Sequence, residues 1–136
     1  MDATRDSRTL YVVLATASLA TLLLHAFFVP RHFAAEPTLA YTYLAAGWGT
    51  YTIAWYTVGR LVSTPQSLPG MRAADVGVSL LLVSVLASGA LASWGVTPAT
   101  AVEVYLVLAT GVYVGLGLTG FALGRRTNAI TRLAGS

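Results

Sequence analysis

The feature that most constrains this chain is the spacing of its charges. Its 8 basic and 5 acidic residues gather at a few positions, and long apolar runs fill the intervals. A transmembrane helix needs roughly 20 mostly apolar residues to cross about 30 Å of hydrocarbon. Four stretches meet that length. They are about Leu10–Val29, closed by Pro30, about Thr38–Leu61, entered after Pro37, about Ala74–Trp94 and about Pro98–Leu123. The turn-rich segment Ser63-Thr64-Pro65-Gln66-Ser67-Leu68-Pro69-Gly70 separates the second from the third. Thr97 is placed to cap the fourth, with Pro98 at its first helical position. Connections this short make neighbouring helices antiparallel. The fold expected is therefore all-α, an integral membrane four-helix up-down bundle. It forms a single domain over residues 1–136, with a short polar N-terminal tail and a basic C-terminal tail.

The first apolar run is about 20 residues, longer than the 7–15 of a signal-peptide core. The residues after it, Arg31-His32-Phe33-Ala34-Ala35, make a poor cleavage site, so the span is expected to be retained. Orientation follows from arginine placement, because Lys and Arg accumulate on the cytoplasmic side. With four spans, Arg5, Arg8, Arg60, Arg72, Arg125, Arg126 and Arg132 share one side and Arg31 alone lies on the other. Both termini are expected in the cytoplasm, in a multi-pass protein of the cell membrane.

Read at 100° per residue, the helices present distinct faces. Ser18, Thr21 and His25 form a polar stripe on the first, and polar stripes in membrane helices normally face protein. Gly77, Ser84, Ser88 and Ala92 give the third a small, hydroxylated side suited to close approach. The fourth is narrow twice over. Gly111, Gly115 and Thr119 line one side, while Gly117, Gly120 and Gly124 lie roughly opposite. Such a helix can be gripped by two neighbours, one of them in a second subunit. On the second helix Tyr41, Trp48, Tyr51 and Trp55 fall within about 80° of one another. Aromatic belts explain such residues near the interfaces, but Trp48 and Tyr51 sit near mid-span. A buried indole N–H or phenol O–H there wants a partner, and Tyr113 lies at similar depth. The stripe reads either as packing or, with Tyr113, as the wall of a site for a quinone, carotenoid or lipid tail.

Several chemistries are excluded outright. The chain has no Cys, hence no disulfide, thiolate nucleophile or Cys-ligated metal. All 8 basic residues are Arg, so no lysine Schiff base can form. Gly115-Leu116-Gly117-Leu118-Thr119-Gly120 spells the dinucleotide fingerprint, but inside a membrane helix it lacks the strand and the exposed helix start that bind a phosphate. His25 and His32 are about 10 Å apart along one helix, too far to clamp one iron. No acid lies at mid-membrane depth, which argues against a proton-coupled carrier. His25 and Glu103, at comparable outer depth, make the one acid/base pair that can be assembled. No metal site is expected, nor a nucleic-acid partner, nor an enzymatic activity.

The leading expectation is a packing or assembly module, a homo-oligomer or an accessory subunit of a larger membrane complex. The rival uses the aromatic second helix to bind an apolar cofactor or lipid, or to line a small channel or transporter. The bilayer and other membrane subunits, or a second copy, are the expected partners; no cofactor is required by the sequence.

Overall fold

The computed structural model describes residues 3–62 and 67–135, with backbone alone described for 3–5. The side chain of Arg5 and the start of the expected turn segment, Ser63-Thr64-Pro65-Gln66, lie outside the described residues. Among the described residues every element of secondary structure is a helix. Three of its helices, over Asp6–His32, Arg72–Ser93 and Val102–Ala134, are long and apolar enough to cross a membrane.

The first helix runs as α-helix over Ala3–Leu23, widens to a π turn over Leu24–Phe28 and resumes over Val29–His32. It does not stop at Pro30 as expected. A proline in a helix interior removes one backbone donor and crowds the preceding turn. Here the π turn absorbs that strain, with the Val29 N–H reaching back five residues to the Leu24 carbonyl.

The second helix, Pro37–Val62, opens on proline, whose missing N–H costs nothing at the first position. At 26 residues it is about 39 Å long, enough to span. Its many Tyr, Trp, Thr and Gly residues make it less apolar than the other three.

The third helix, Arg72–Ser93, carries Asp75 in its first turn, where a negative charge complements the helix dipole. It ends in a Schellman motif. The Val96 N–H bonds the Leu91 carbonyl at 2.9 Å and the Gly95 N–H bonds Ala92 at 3.1 Å. Gly95, at φ 80°, takes the left-handed position that glycine accepts without penalty.

The fourth helix, Val102–Ala134, starts later than Pro98. The Thr100 hydroxyl lies 2.9 Å from the Thr97 N–H, so Thr97–Thr100 closes a separate turn. A local side-chain bond has displaced the expected cap. At the other end the helix continues past Leu123 for its full 33 residues, and Asn128 and Ala129 are buried there.

Contacts between helices fix their order. Thr21 meets Thr50 and His25 lies over Gly47, so the first and second run antiparallel. Thr52 faces Gly120 and Tyr56 faces Gly124, so the second and fourth run parallel. Gly77 faces Gly115 and Ser84 faces Gly111, so the third and fourth run antiparallel. The order across the molecule is first, second, fourth, third. Among the described residues the first helix makes no close backbone approach to the third or fourth. The helices thus form an open row, and the closure implied by a bundle is not seen. Buried apolar side chains are small (Ala17, Ala40, Ala74, Val112, Ala122 and Ala129), as expected where close backbone approach replaces a greasy core.

Candidate functional site

The polar and aromatic groups gather where the first, second and fourth helices meet. His25 sits within the π turn and lies across the second helix at Gly47, where an added Cβ would come 2.5 Å from the His25 ring. The missing side chain opens a passage. Through it His25 Nε2 reaches the hydroxyl of Tyr113 on the fourth helix.

The protons on this contact can be placed from acceptor chemistry. His25 Nδ1 is 2.8 Å from the Thr21 carbonyl, which only accepts, so Nδ1 carries the hydrogen. In the neutral ring Nε2 is then the acceptor, and Tyr113 donates to it. The Tyr113 oxygen in turn accepts from Trp48 Nε1–H at 3.3 Å. One directed chain results: Trp48 to Tyr113 to His25 to the Thr21 carbonyl. Beside it, the Thr21 and Thr50 hydroxyls meet at 2.8 Å. Each hydroxyl also reaches a carbonyl of its own helix, Ala17 at 2.8 Å and Gly47 at 3.0 Å. Two protons face three acceptor positions, so when one hydroxyl donates to the other only one of those carbonyls is served.

Next to Tyr113 opens a cleft of about 310 Å³ between the second and fourth helices. Tyr51, Trp55, Tyr113 and Phe121 wall it, and Gly117 forms its floor. Tyr51 meets Tyr113 edge to face at 5.2 Å between centroids, and Trp55 meets Phe121 likewise at 6.4 Å. Over Gly117 two donors converge. A Cβ added there would lie 3.4 Å from Trp55 Nε1 and 3.5 Å from the Tyr51 hydroxyl. Neither donor has a hydrogen-bond partner among the described residues.

Of the expected aromatic set, Tyr51, Trp55 and Tyr113 line this cleft. Trp48 lies in the hydrogen-bonded chain beside it, and Tyr41 points away, 61% exposed. Phe121 was not anticipated; its signal is its place one helical turn beyond Gly117. The glycines fall on both sides of the fourth helix, as the wheel implies, and both sides are occupied within the chain. Gly111 and Gly115 meet Ser84, Gly77 and Leu81 of the third helix. Thr119 packs on Gly77, and its hydroxyl bonds the Gly115 carbonyl at 2.7 Å. Gly117, Gly120 and Gly124 meet Trp55, Thr52 and Tyr56 of the second. Ser88 bonds the Ser84 carbonyl at 2.8 Å, inside the third helix.

His25 and Glu103 are not brought together. His25 is committed to Tyr113 and Thr21, while Glu103 is exposed at the start of the fourth helix. His25, within the π turn, faces the second and fourth helices on the same side as Thr21, as the polar stripe implies. Glu36 is instead the carboxylate that meets a histidine, its Oε1 lying 3.4 Å from His32 Nδ1. Among the described residues no group of His, Cys, Asp and Glu could hold a metal ion. No protein-family model, curated protein or solved structure matches the chain.

Proposed function

We propose that this chain is a non-catalytic, four-span membrane module that holds an apolar ligand bearing a hydrogen-bond acceptor. The observation that carries the reading is the pair of unpartnered donors, the Tyr51 hydroxyl and the Trp55 indole N–H, converging over Gly117 in an aromatic cleft. Within hydrocarbon an unsatisfied donor is costly, and no water is at hand to relieve it. A carbonyl offered by the ligand relieves both. Aromatic walls set edge to face accept a flat ring or a conjugated chain. A quinone or a carbonyl-bearing carotenoid fits that chemistry better than a plain acyl tail.

In this reading the second helix spans as well. The first and fourth helices flank it and take up part of its polar surface, as at Thr21–Thr50 and Trp48–Tyr113, while Trp55 is 39% exposed. Both termini are cytoplasmic, in keeping with the arginine distribution.

The test begins with the protein purified in mild detergent. Its absorption spectrum and organic extract are compared with bulk membrane, and a short-chain quinone is titrated against tryptophan fluorescence. Saturable quenching is expected in the native chain, and its loss in Tyr51→Phe/Trp55→Phe. An extract matching bulk lipid, together with non-saturable quenching, overturns the reading.

A second reading, an assembly module, draws on the open row. Among the described residues the third helix packs on the fourth alone, and it exposes Val83 and Leu86, at 65% and 70%. Native mass measurement separates the two readings: discrete multimers without ligand favour assembly, and a ligand-bearing monomer favours the cleft.

A further inference from the structure

A second hollow lies at the arginine-rich end of the molecule, away from the aromatic cleft. It measures about 560 Å³ and is enclosed by the start of the first helix and the ends of the second and fourth. Asp6 and Ser7 contribute from the first, Arg60 from the second, and Asn128, Thr131 and Arg132 from the fourth. Two arginines face one acid, so the lining is net positive.

The arginines are not consumed by the protein. Arg60 Nε is buried with no hydrogen-bond partner. Asp6 shares the hollow, yet among the described residues it pairs with neither arginine. Arg132 Nε bonds the Asn128 side-chain oxygen at 3.4 Å, which steadies one guanidinium and leaves its other donors available. Asn128 is itself only 6% exposed. Arginines at a membrane surface ordinarily extend their heads into water. Arg60 instead lines the hollow; its Nε is closed off, and no hydrogen bond among the described residues engages its two Nη groups, which are the donors a ligand can meet.

The occupant must be an anion that accepts several hydrogen bonds. One helix starts here and two end, so the dipole poles together do not favour an anion, and the attraction comes from the guanidinium groups. A phosphate suits them, since its oxygens match the planar fork of arginine. The site lies two residues from the end of the second helix, where lipid phosphates are found if that helix spans. We propose that this hollow binds a phosphate-bearing anionic group through Arg60 and Arg132.

The experiment uses the full chain in detergent, examined by native mass spectrometry with three probes. These are a phosphatidylglycerol, a phosphatidylcholine with the same chains, and inorganic phosphate added to protein carrying only phosphatidylcholine. Preferential retention of phosphatidylglycerol is expected, falling roughly fivefold for each arginine removed in Arg60→Gln and Arg132→Gln. Adducts of inorganic phosphate that vanish in the same variants support the same chemistry with a soluble source. Thr131→Glu places a carboxylate at the exposed rim without touching the packing, and it too should abolish retention. Arg125→Gln, outside the hollow, should not. Equal retention of the two lipids with no phosphate adduct overturns the proposal. So does a preference that survives both Thr131→Glu and the folded double arginine variant.

Discussion

At the scale of single residues, Tyr113 is the position on which most depends, because its oxygen both donates and accepts. Tyr113→Phe deprives Trp48 N–H of its acceptor and His25 Nε2 of its donor together. Hydrogen bonds between membrane helices average well under the cost of a fully buried orphan in water-soluble proteins. A loss of about 1–2 kcal/mol in detergent unfolding is therefore expected. Gly47→Ala should cost a similar amount by a different route, since its Cβ would collide with the His25 ring and push it off Tyr113. The two effects share one contact, so the double variant should lose clearly less than the sum of the singles. Additive losses would mean that His25 and Tyr113 do not act as a pair. The aromatic stripe was legible from spacing alone, because Tyr51 and Trp55 are four apart and share a face wherever that face points. The His25–Tyr113 bond was not. Periodicity orders residues around one helix, but it is silent on which helix stands opposite.

At the scale of elements, the fourth helix separates glycines that hold neighbours from the one that leaves room. A Cβ at Gly115 would sit 2.5 Å from the Gly77 carbonyl, and one at Gly120 would sit 2.6 Å from the Thr52 carbonyl. Backbone cannot yield as a side chain does, so Gly115→Ala and Gly120→Ala should each destabilise by about 1–3 kcal/mol. Gly117→Ala meets only side-chain atoms at ordinary contact distance and should cost under about 1 kcal/mol, while still filling the floor of the cleft. Thermal unfolding of the three variants, with quinone titration of the third, checks both halves. If Gly117→Ala proves the most damaging of the three, the cleft is packing rather than a site. The twin small faces were readable in the sequence, since Gly111 and Gly115 recur at one helical spacing and Gly117, Gly120 and Gly124 at another. Their partners were not, because a small face fits any helix equally well. The helix ends followed the same pattern. Pro37 marked its helix correctly, whereas Thr97 and Pro98 resembled a start and were taken by a turn of their own.

At the scale of the whole molecule, the open question is how often the chain crosses the bilayer, and the row answers in a testable way. If only the three most apolar helices crossed, the N-terminus and C-terminus would lie on opposite sides. The hollow argues otherwise. Asp6, near the start of the first helix, and Arg132, near the end of the fourth, line the same space. The two ends lie beside one hollow, the arrangement that the proposed four crossings require. Four crossings also place the exposed turn at Ala35 at the opposite end. The native chain contains no cysteine, so Ala35→Cys and Gly135→Cys each give a single reactive thiol. An impermeant thiol reagent applied to intact cells should label the first and spare the second until the membrane is broken. Labelling of Gly135→Cys alone would reverse the orientation read from the arginines and keep four crossings. Labelling of both from outside would leave the second helix short of a full crossing, and with it the shielding that lets its tyrosines and tryptophans face a ligand instead of water.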